Sequence, residues 1–345
     1  MDFKSISSLT IDKSALPVIR YTNGDWTWKD FMGSVKVRAG FAREKYKVDA
    51  GLYAFGKPGV NSDILVTANY KLTFDVVRKN LKGIDVWLLV LDTKGVNVWC
   101  VAGKGTFGTT ELIKRIKETK LADVVKTRKL IVPQLGAVGI AAHKIKENTD
   151  FHVVYGPIRA QDIQPFIRDN YRATETMRTM YFPLKERIKL APAELKLNYK
   201  FLIYGILLLT GLSGIEGLGF SLAKSVSNFW SIGILVTSAY ISGTLLTPAL
   251  LPWLPFRDFS TKGAFAGFLT WIVLALIWPF KADLNAISWF LIFVSLSSYI
   301  GMNFTGASTF TSLSGVKKEM KYALPLQIVL GIAGLGLFLV SNLLS

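Results

Sequence analysis

The most reactive side chain in this sequence belongs to its lone cysteine, Cys100, within Asn97–Lys104 (NVWCVAGK). A thiolate can serve as a nucleophile or as a soft metal ligand. Asn97 is a good helix N-cap, and Gly103 or Gly105 a good helix terminator. The segment therefore predicts a helix of one to two turns carrying Cys100. The first turn of a helix places positive potential beside the sulfur, and Lys104 adds charge one turn later. The surrounding glycines permit close approach of a flat, bulky ligand. The competing reading is an inert, small hydrophobic residue. No nearby His offers itself as the base of a cysteine hydrolase. One cysteine also excludes an internal disulfide, a multi-cysteine zinc site and any iron–sulfur cluster ligated by this chain alone. Chemistry that needs electrons must then draw them from another protein.

Three further motifs fail on spacing. Gly103–Gly108 (GKGTFG) fits G-x-G-x-x-G, but it lies well past Leu91, where its strand ends. The next strand ends at Gln134 and Leu135 and offers no acid for a ribose. A phosphate loop would need glycine at Val98 and Ser or Thr at Gly105. Asp150–Gly156 (DFHVVYG) nearly matches the D-x-H-x-x-G of histidine-ligated cobalamin proteins, with one residue too many before the glycine. His152 reads instead as a strand residue.

The elements that must position Cys100 alternate between strand and helix. Strands are predicted at Ile64–Asn69, Val86–Leu91, Leu130–Leu135 and His152–Tyr155. Helices are predicted at Leu72–Leu81, Thr109–Val125, Ala141–Glu147 and Asp162–Asp169. Continuous apolar strands predict a mostly parallel sheet covered on both faces. Ligands of such sheets sit beyond the carboxyl ends of the strands. Those ends are Thr67–Tyr70, Asp92–Gly105, Pro133–Gly136 and Tyr155–Pro157, rich in glycine, proline and small polar groups.

Composition divides the chain. Residues 1–200 hold 34 Lys/Arg against 20 Asp/Glu, and residues 201–345 hold 7 against 4. A basic half beside a membrane favours anionic lipid headgroups, an acidic protein partner or a phosphate-bearing ligand. No basic run interleaved with aromatics points to nucleic acid. The first residues lack an apolar core of signal-peptide length, so the first half is expected in the cytoplasm. Five apolar stretches are long enough to span roughly 30 Å of hydrocarbon: about 199–220, 229–251, 263–281, 284–303 and 323–344. Arg257, Lys262, Lys317, Lys318 and Lys321 fall in the loops on the side of the N-terminal half, and Lys224 and Lys281 on the other. The positive-inside rule then expects a multi-pass inner-membrane protein with its C-terminus outside. Trp230, Trp253, Trp271, Trp278 and Trp289 read as interfacial anchors. Glu216 is the only acid expected inside a span, at its outer interface. The loop Asn303–Gly315 reads either as flexible or as a surface facing the first half.

NVWCVAGK closely resembles the cap-helix signature of the mercury-methylating corrinoid proteins of anaerobic bacteria and archaea, in which Asn-Val/Ile-Trp-Cys-Ala-Ala/Gly-Gly-Lys is typical. GLYAFGKPG, ILVTANYKLTFD, VLDTKGVNVWC, GKGTFGTTEL, LADVV, LIVPQLGAVG, HVVYGPIRAQD and MNFTGASTFTSLSGVKKEM look like that family too. So does a five-span tail. The resemblance covers about residues 40–345. Val101 departs from the family's usual Ala and is expected to add bulk beside the ligand. The resemblance implies an N-terminal extension (1–40), a Rossmann-like α/β corrinoid-binding domain (41–196) and an all-α transmembrane bundle of about five helices (197–345). The α/β domain would be similar to that of the corrinoid iron–sulfur protein of the acetyl-CoA pathway.

The resemblance further implies that the Cys100 thiolate ligates the cobalt of cobalamin or a related corrinoid from its lower face. A methyl group would pass from the upper face to Hg(II), giving methylmercury. Cobalt would return to Co(I) with electrons from a separate ferredoxin-like protein carrying two 4Fe–4S clusters, since this chain would hold no such cluster. A methyl donor protein or a methyltetrahydrofolate system would reload it. Asn97, Val98, Trp99, Val101, Ala102, Gly103, Lys104, Gly105 and Thr106 would shape the cap helix and its contacts. Thr67, Asn69, Gln134, Leu135, Gly136, Tyr155, Gly156 and Pro157 would line the corrin or its nucleotide tail. Two other functions stay open: a corrinoid methyl carrier of one-carbon metabolism with another acceptor, and a membrane receptor or transporter component with a cofactor-binding domain.

Overall fold

The structure, a computed structural model, describes residues 17–101, 105–277, 283–304 and 313–344. Ala102, Gly103, Lys104, Trp278, Lys281 and most of the 303–315 loop lie outside the described residues. The chain divides into two compact units: one ends at Met180, and the other comprises Tyr181–Ser345 with Arg38–Gly40.

The first unit is a mixed six-stranded sheet: β1 (Ile19–Thr22), β2 (Gly51–Phe55), β3 (Ile64–Ala68), β4 (Val86–Leu91), β5 (Lys129–Val132) and β6 (His152–Tyr155). Its strand order is β1-β2-β4-β3-β5-β6. β4, β3, β5 and β6 run parallel, with Ile64 opposite Trp87, Leu65 opposite Ile131 and Leu130 opposite Val153. β2 runs antiparallel to β4 and parallel to β1. β4 (VWLLVL) explains the middle of the sheet: Leu88, Leu89, Val90 and Leu91 have no exposed surface. Alternating residues feed opposite faces. Leu89, Leu91, Val66, Leu130 and Val132 pack with Leu112 and Ile116 of α4 (Thr109–Glu118) and Ile145 of α6 (Ala142–Thr149). Leu88, Val90, Leu65 and Ile131 pack on the other face with Phe74 of α2 (Lys71–Asn80) and Phe166 of α7 (Ile163–Arg168).

The structure departs from expectation at three places here, whereas the short helix expected around Cys100 is present. β1, β2 and a helix α1 (Trp28–Arg38) were not anticipated. The strand expected over Leu130–Leu135 stops at Val132, because Pro133 has no N–H for the ladder; residues 134–139 coil into a tight turn. The helix expected over Thr109–Val125 breaks after Glu118. Thr119 Oγ1 donates to Arg115 O (2.7 Å), Lys120 turns left-handed at φ 46°, and α5 (Leu121–Val124) follows. A one-turn helix, α3 (Val98–Val101), carries Cys100.

The second unit is helical. After α8 (Glu175–Arg178) of the first unit come α9 (Leu184–Ile188), α10 (Ala191–Leu212), α11 (Leu222–Ile241), α12 (Thr247–Leu250), α13 (Phe259–Ile277), α14 (Leu284–Asn303) and α15 (Leu313–Leu344). Among the described residues, five helical stretches are long and apolar enough to cross a membrane: Leu184–Leu212, Leu222–Leu250, Phe259–Ile277, Leu284–Asn303 and Gly315–Leu344. The fourth coincides with its expected bounds. The first ends at Leu212 instead of 220. A glycine-rich hairpin follows, pairing Ile215–Glu216 with Gly219–Phe220 around Gly217 at φ 51°. Glu216 therefore lies outside any span helix. The fifth begins at Gly315 rather than 323, within α15, so Lys317, Lys318 and Lys321 sit on the first turns of that helix. Glu319 is then an acid inside a candidate span. It is buried, and it accepts the Ser260 N–H at 2.6 Å. Trp271 and Trp289 are not surface anchors: they pack with Phe293 and Phe338 in the helical core, whereas Trp230 and Trp253 are exposed.

Small residues let these helices approach. A Cβ on Gly263 would stand 3.2 Å from Gly301 Cα and 2.7 Å from Ser297 O. Hydroxyls then bond across the seam. Ser297 Oγ donates to Gly263 O (2.8 Å), Ser298 Oγ to Ser260 O (2.8 Å), and Gln327 Nε2 to Ser298 Oγ (2.9 Å).

A candidate cofactor-binding edge of the sheet

β3, β4, β5 and β6 point the same way, so the segments after them share the carboxyl edge of one sheet. The segment after β4 is held by Asn69, which follows β3. Asn69 Nδ2 donates to Asp92 Oδ1 (2.9 Å). Its Oδ1 accepts from Thr93 N–H (3.1 Å), Thr93 Oγ1 (2.9 Å) and Gly95 N–H (3.0 Å). Thr93 Oγ1 also lies 2.7 Å from Val96 O. Lys94 and Gly95 take left-handed φ angles of 55° and 74°, which closes a tight turn ahead of α3. The Asn69 side chain is buried, and its hydrogen bonds hold this turn at the edge.

Asn97 caps α3: its Oδ1 accepts the Cys100 N–H at 2.8 Å. Val98 and Val101 are buried in the core of the sheet. With about 100° between successive helical residues, Cys100 falls on the opposite side from Val98. The thiol is half-buried and free of any disulfide. Val101 packs inward, so its extra bulk is taken up by the core, contrary to the expectation that it crowds the ligand side.

α3 packs against the 134–139 turn. Gly136 is fitted there to Phe107, which has no exposed surface; a Cβ at 136 would lie 2.3 Å from the ring. Leu135 packs on the same core. Gln134 Oε1 accepts a hydrogen bond from Arg178 Nη1. Tyr155 OH donates to Ile140 O (2.8 Å), and Gly156 N–H continues the ladder to Val132 O (2.8 Å). Gly156, Pro157 and Thr67 are buried. Gly105 is exposed at φ 88°, with open space where a Cβ would stand. Thr106 differs from its neighbours: among the described residues its Oγ1 is buried without a hydrogen-bond partner. Val138, which sequence reasoning passed over, stands 85% exposed on the 134–139 turn. Phe107 was passed over too; an aromatic framed by glycines was its only signal.

A half-buried soft sulfur donor, an exposed valine, an unpartnered hydroxyl and one open glycine, Gly105, are compatible with a large, metal-bearing ring with polar substituents. Among the described residues no group of three or more His, Cys, Asp or Glu could hold a bare metal ion.

Residues 39–167 match the family model described as CO dehydrogenase/acetyl-CoA synthase delta subunit. The matched stretch holds β2 to β6, α3 and the whole carboxyl edge. Among curated relatives, the acetyl-CoA decarbonylase/synthase complex subunit gamma of Methanopyrus kandleri is 36% identical over 128 residues, 36% of this chain and 27% of the relative. The corresponding subunit of Archaeoglobus fulgidus is 33% identical over 135 residues, 39% of this chain and 28% of the relative. The corrinoid/iron-sulfur protein large subunit of Moorella thermoacetica is 30% identical over 126 residues, 36% of this chain and 28% of the relative. The chain thus spans little more than a quarter of the length of these relatives. The family match ends at residue 167, ahead of the five long apolar helices.

Proposed function

We propose that the chain is a membrane-anchored corrinoid protein that transfers a methyl group, with the Cys100 thiolate as the residue that would hold cobalt and Hg(II) as the methyl acceptor. The observation that carries the corrinoid reading is the half-buried Cys100 on a capped turn at the carboxyl edge of four parallel strands. Similarity of the same stretch to a corrinoid/iron–sulfur protein supports it. Mercury as acceptor rests on the NVWCVAGK signature and the helical tail.

Bound at this edge, a corrinoid supplies a cobalt-held methyl group for transfer. The chain supplies the surroundings. Cys100 Sγ would offer a soft electron pair to a transition metal and act as a strong donor to it. Asn97 and the two inward valines fix where that sulfur stands. Thr106 Oγ1 offers an unused hydrogen bond to a polar ring substituent, and Val138 an apolar contact. Hg(II) is a soft, thiophilic cation, so it is substrate and also a competitor for the Cys100 thiolate. Electrons and new methyl groups would come from a separate ferredoxin-like protein with two 4Fe–4S clusters and from a methyl donor protein or methyltetrahydrofolate system.

The test is the absorption spectrum of the full chain expressed with cobalamin, wild type against Cys100→Ala. We expect a bound, base-off corrinoid whose thiolate-dependent bands vanish in the variant. Identical spectra would overturn the ligand assignment. Methyl-loaded protein is then given Hg(II) under reducing conditions. Methylmercury is the expected product. Stable methyl-loaded protein with no product would favour the second reading, a methyl carrier like the acetyl-CoA decarbonylase/synthase subunits it resembles.

A further inference from the structure

α1 is built inside out. Thr27 caps it: Thr27 N–H and Oγ1 bond Asp30 Oδ2 at 3.1 and 2.8 Å, and Asp30 N–H returns to Thr27 Oγ1 at 3.2 Å. Asp30, Ser34 and Val37 face inward and are buried. Asp30 is clamped by Lys71 Nζ (2.6 Å) and Arg78 Nη2 (2.7 Å), and both cations also hold Asp75 (2.6 and 2.8 Å). This polar clamp fixes the rotation of the helix and leaves its apolar face outside. Trp28, Phe31, Met32 and Val35 are 73, 43, 46 and 44% exposed. Their spacing is i, i+3, i+4 and i+7, a stripe roughly 100° wide on one face. Trp28 and Phe31 stack at 5.2 Å.

The charges on α1 sort themselves around that stripe. At about 100° per residue, Lys29 and Lys36 flank it on one side and Arg38 on the other. Its acid, Asp30, is buried and paired, so every outward charge is basic. A narrow apolar stripe bearing Trp and bordered by cations has the make-up of a helix lying in a membrane interface, where the ring sits at headgroup level and the cations meet anionic lipid. The chain carries five helices of membrane-spanning length, so a bilayer is its standing neighbour.

We propose that α1 is an interfacial membrane helix: its Trp28–Val35 stripe enters the acyl boundary of the cytoplasmic leaflet, and Lys29, Lys36 and Arg38 bind anionic phospholipid headgroups. It rests on the membrane reading of the helical unit and is independent of the corrinoid reading. The α/β unit is thereby held to the bilayer by a second contact besides its covalent link to the spans.

The test is nitroxide labelling of the full chain in proteoliposomes, on a Cys100→Ala background. Labels go at Met32→Cys and Val35→Cys, positions exposed enough to tolerate them. Collision with oxygen, which concentrates in lipid, is compared with collision with a water-soluble nickel chelate. Ile332→Cys, on the exposed side of α15, is the lipid control, and Lys144→Cys, exposed on α6, the water control. We expect oxygen to dominate at 32 and 35, as at 332, and the chelate to dominate at 144. Chelate dominance at 32 and 35 would overturn the proposal. So would protection from both reagents, which would mean that protein covers the stripe. Chelate dominance at 332 would sink the membrane reading instead. In vesicles of phosphatidylcholine alone, immersion at 32 and 35 should fall below that with added phosphatidylglycerol. Equal immersion would overturn the role given to the three cations.

Discussion

Asn97 and Val101 show how single residues divide the labour at the thiol. Asn97 satisfies one of the free N–H groups at the start of α3. Asn97→Ala should cost about 1 kcal/mol and broaden the thiolate-dependent bands, while Asn97→Asp, which keeps the oxygen, restores both. Chemical denaturation and the absorption spectrum read the two effects separately. Val101 is 5% exposed and faces the core. Restoring the alanine of the resembled family removes two buried methyl groups, a loss of roughly 2 kcal/mol from transfer and cavity terms. Since that side chain points away from the edge, the Val101→Ala spectrum should match the wild type. A shifted spectrum with unchanged stability would put Val101 on the ligand side after all. Asn69 holds the 92–96 turn, so Asn69→Leu strands two buried N–H groups at about 1–3 kcal/mol each and should displace Cys100.

At the scale of elements, some strands were legible in the sequence and others were not. β3 and β4 were readable because apolar runs covered on both faces leave no ambiguity of period. β1 and β2 were not: IRYT is a half-exposed edge, and GLYAF is a short run opening on a glycine at φ 145°. α1 escaped for a sharper reason. Periodicity analysis takes the apolar face of a helix as the inner one, and α1 turns its polar side inward through Asp30. At the site, the cap and its thiol were legible from local chemistry. The fit of Gly136 to Phe107 was not, because it joins segments remote in sequence. The α1 clamp has a pH signature. Burial would raise the Asp30 carboxyl, but hydrogen bonds from Lys71, Thr27 and Arg78 outweigh it and hold it well below the usual carboxylate range. A depressed folded value means that its stabilisation is present above the unfolded pKa of about 4 and is lost as pH falls below that. The Lys71 ammonium, desolvated but bonded to Asp30 and Asp75, is held above its ordinary value. Its contribution is complete below an unfolded pKa of about 10.4 and fades as pH rises further. The gap in melting temperature between wild type and Asp30→Asn should therefore be widest near neutrality and close in acid. A gap independent of pH would show that Asp30 is not titrating through this clamp.

For the whole molecule, the basic residues at one end of the helical unit do two different things. Arg187 is buried, and its Nη1 donates to Pro248 O (3.0 Å) and Ala249 O (2.6 Å), the free carbonyls where the second span stretch ends. Lys262 Nζ likewise donates to Leu251 O (2.6 Å). These cations complete a helix terminus and contact its negative end. Lys317, Lys318 and Lys321 are exposed on the first turns of α15 and are left to interact with the leaflet. Positive-inside retention depends on the free set. Replacing all three with Gln should give a mixed population at the C-terminus. A fused reporter active only outside the cell would lose part of its signal relative to wild type, where the signal should be full. Arg187→Gln should leave that signal unchanged and lower the melting temperature, since it orphans two carbonyls. A wild-type reporter that is silent outside would overturn the five-span orientation itself, and the inside assignment of the α/β unit with it.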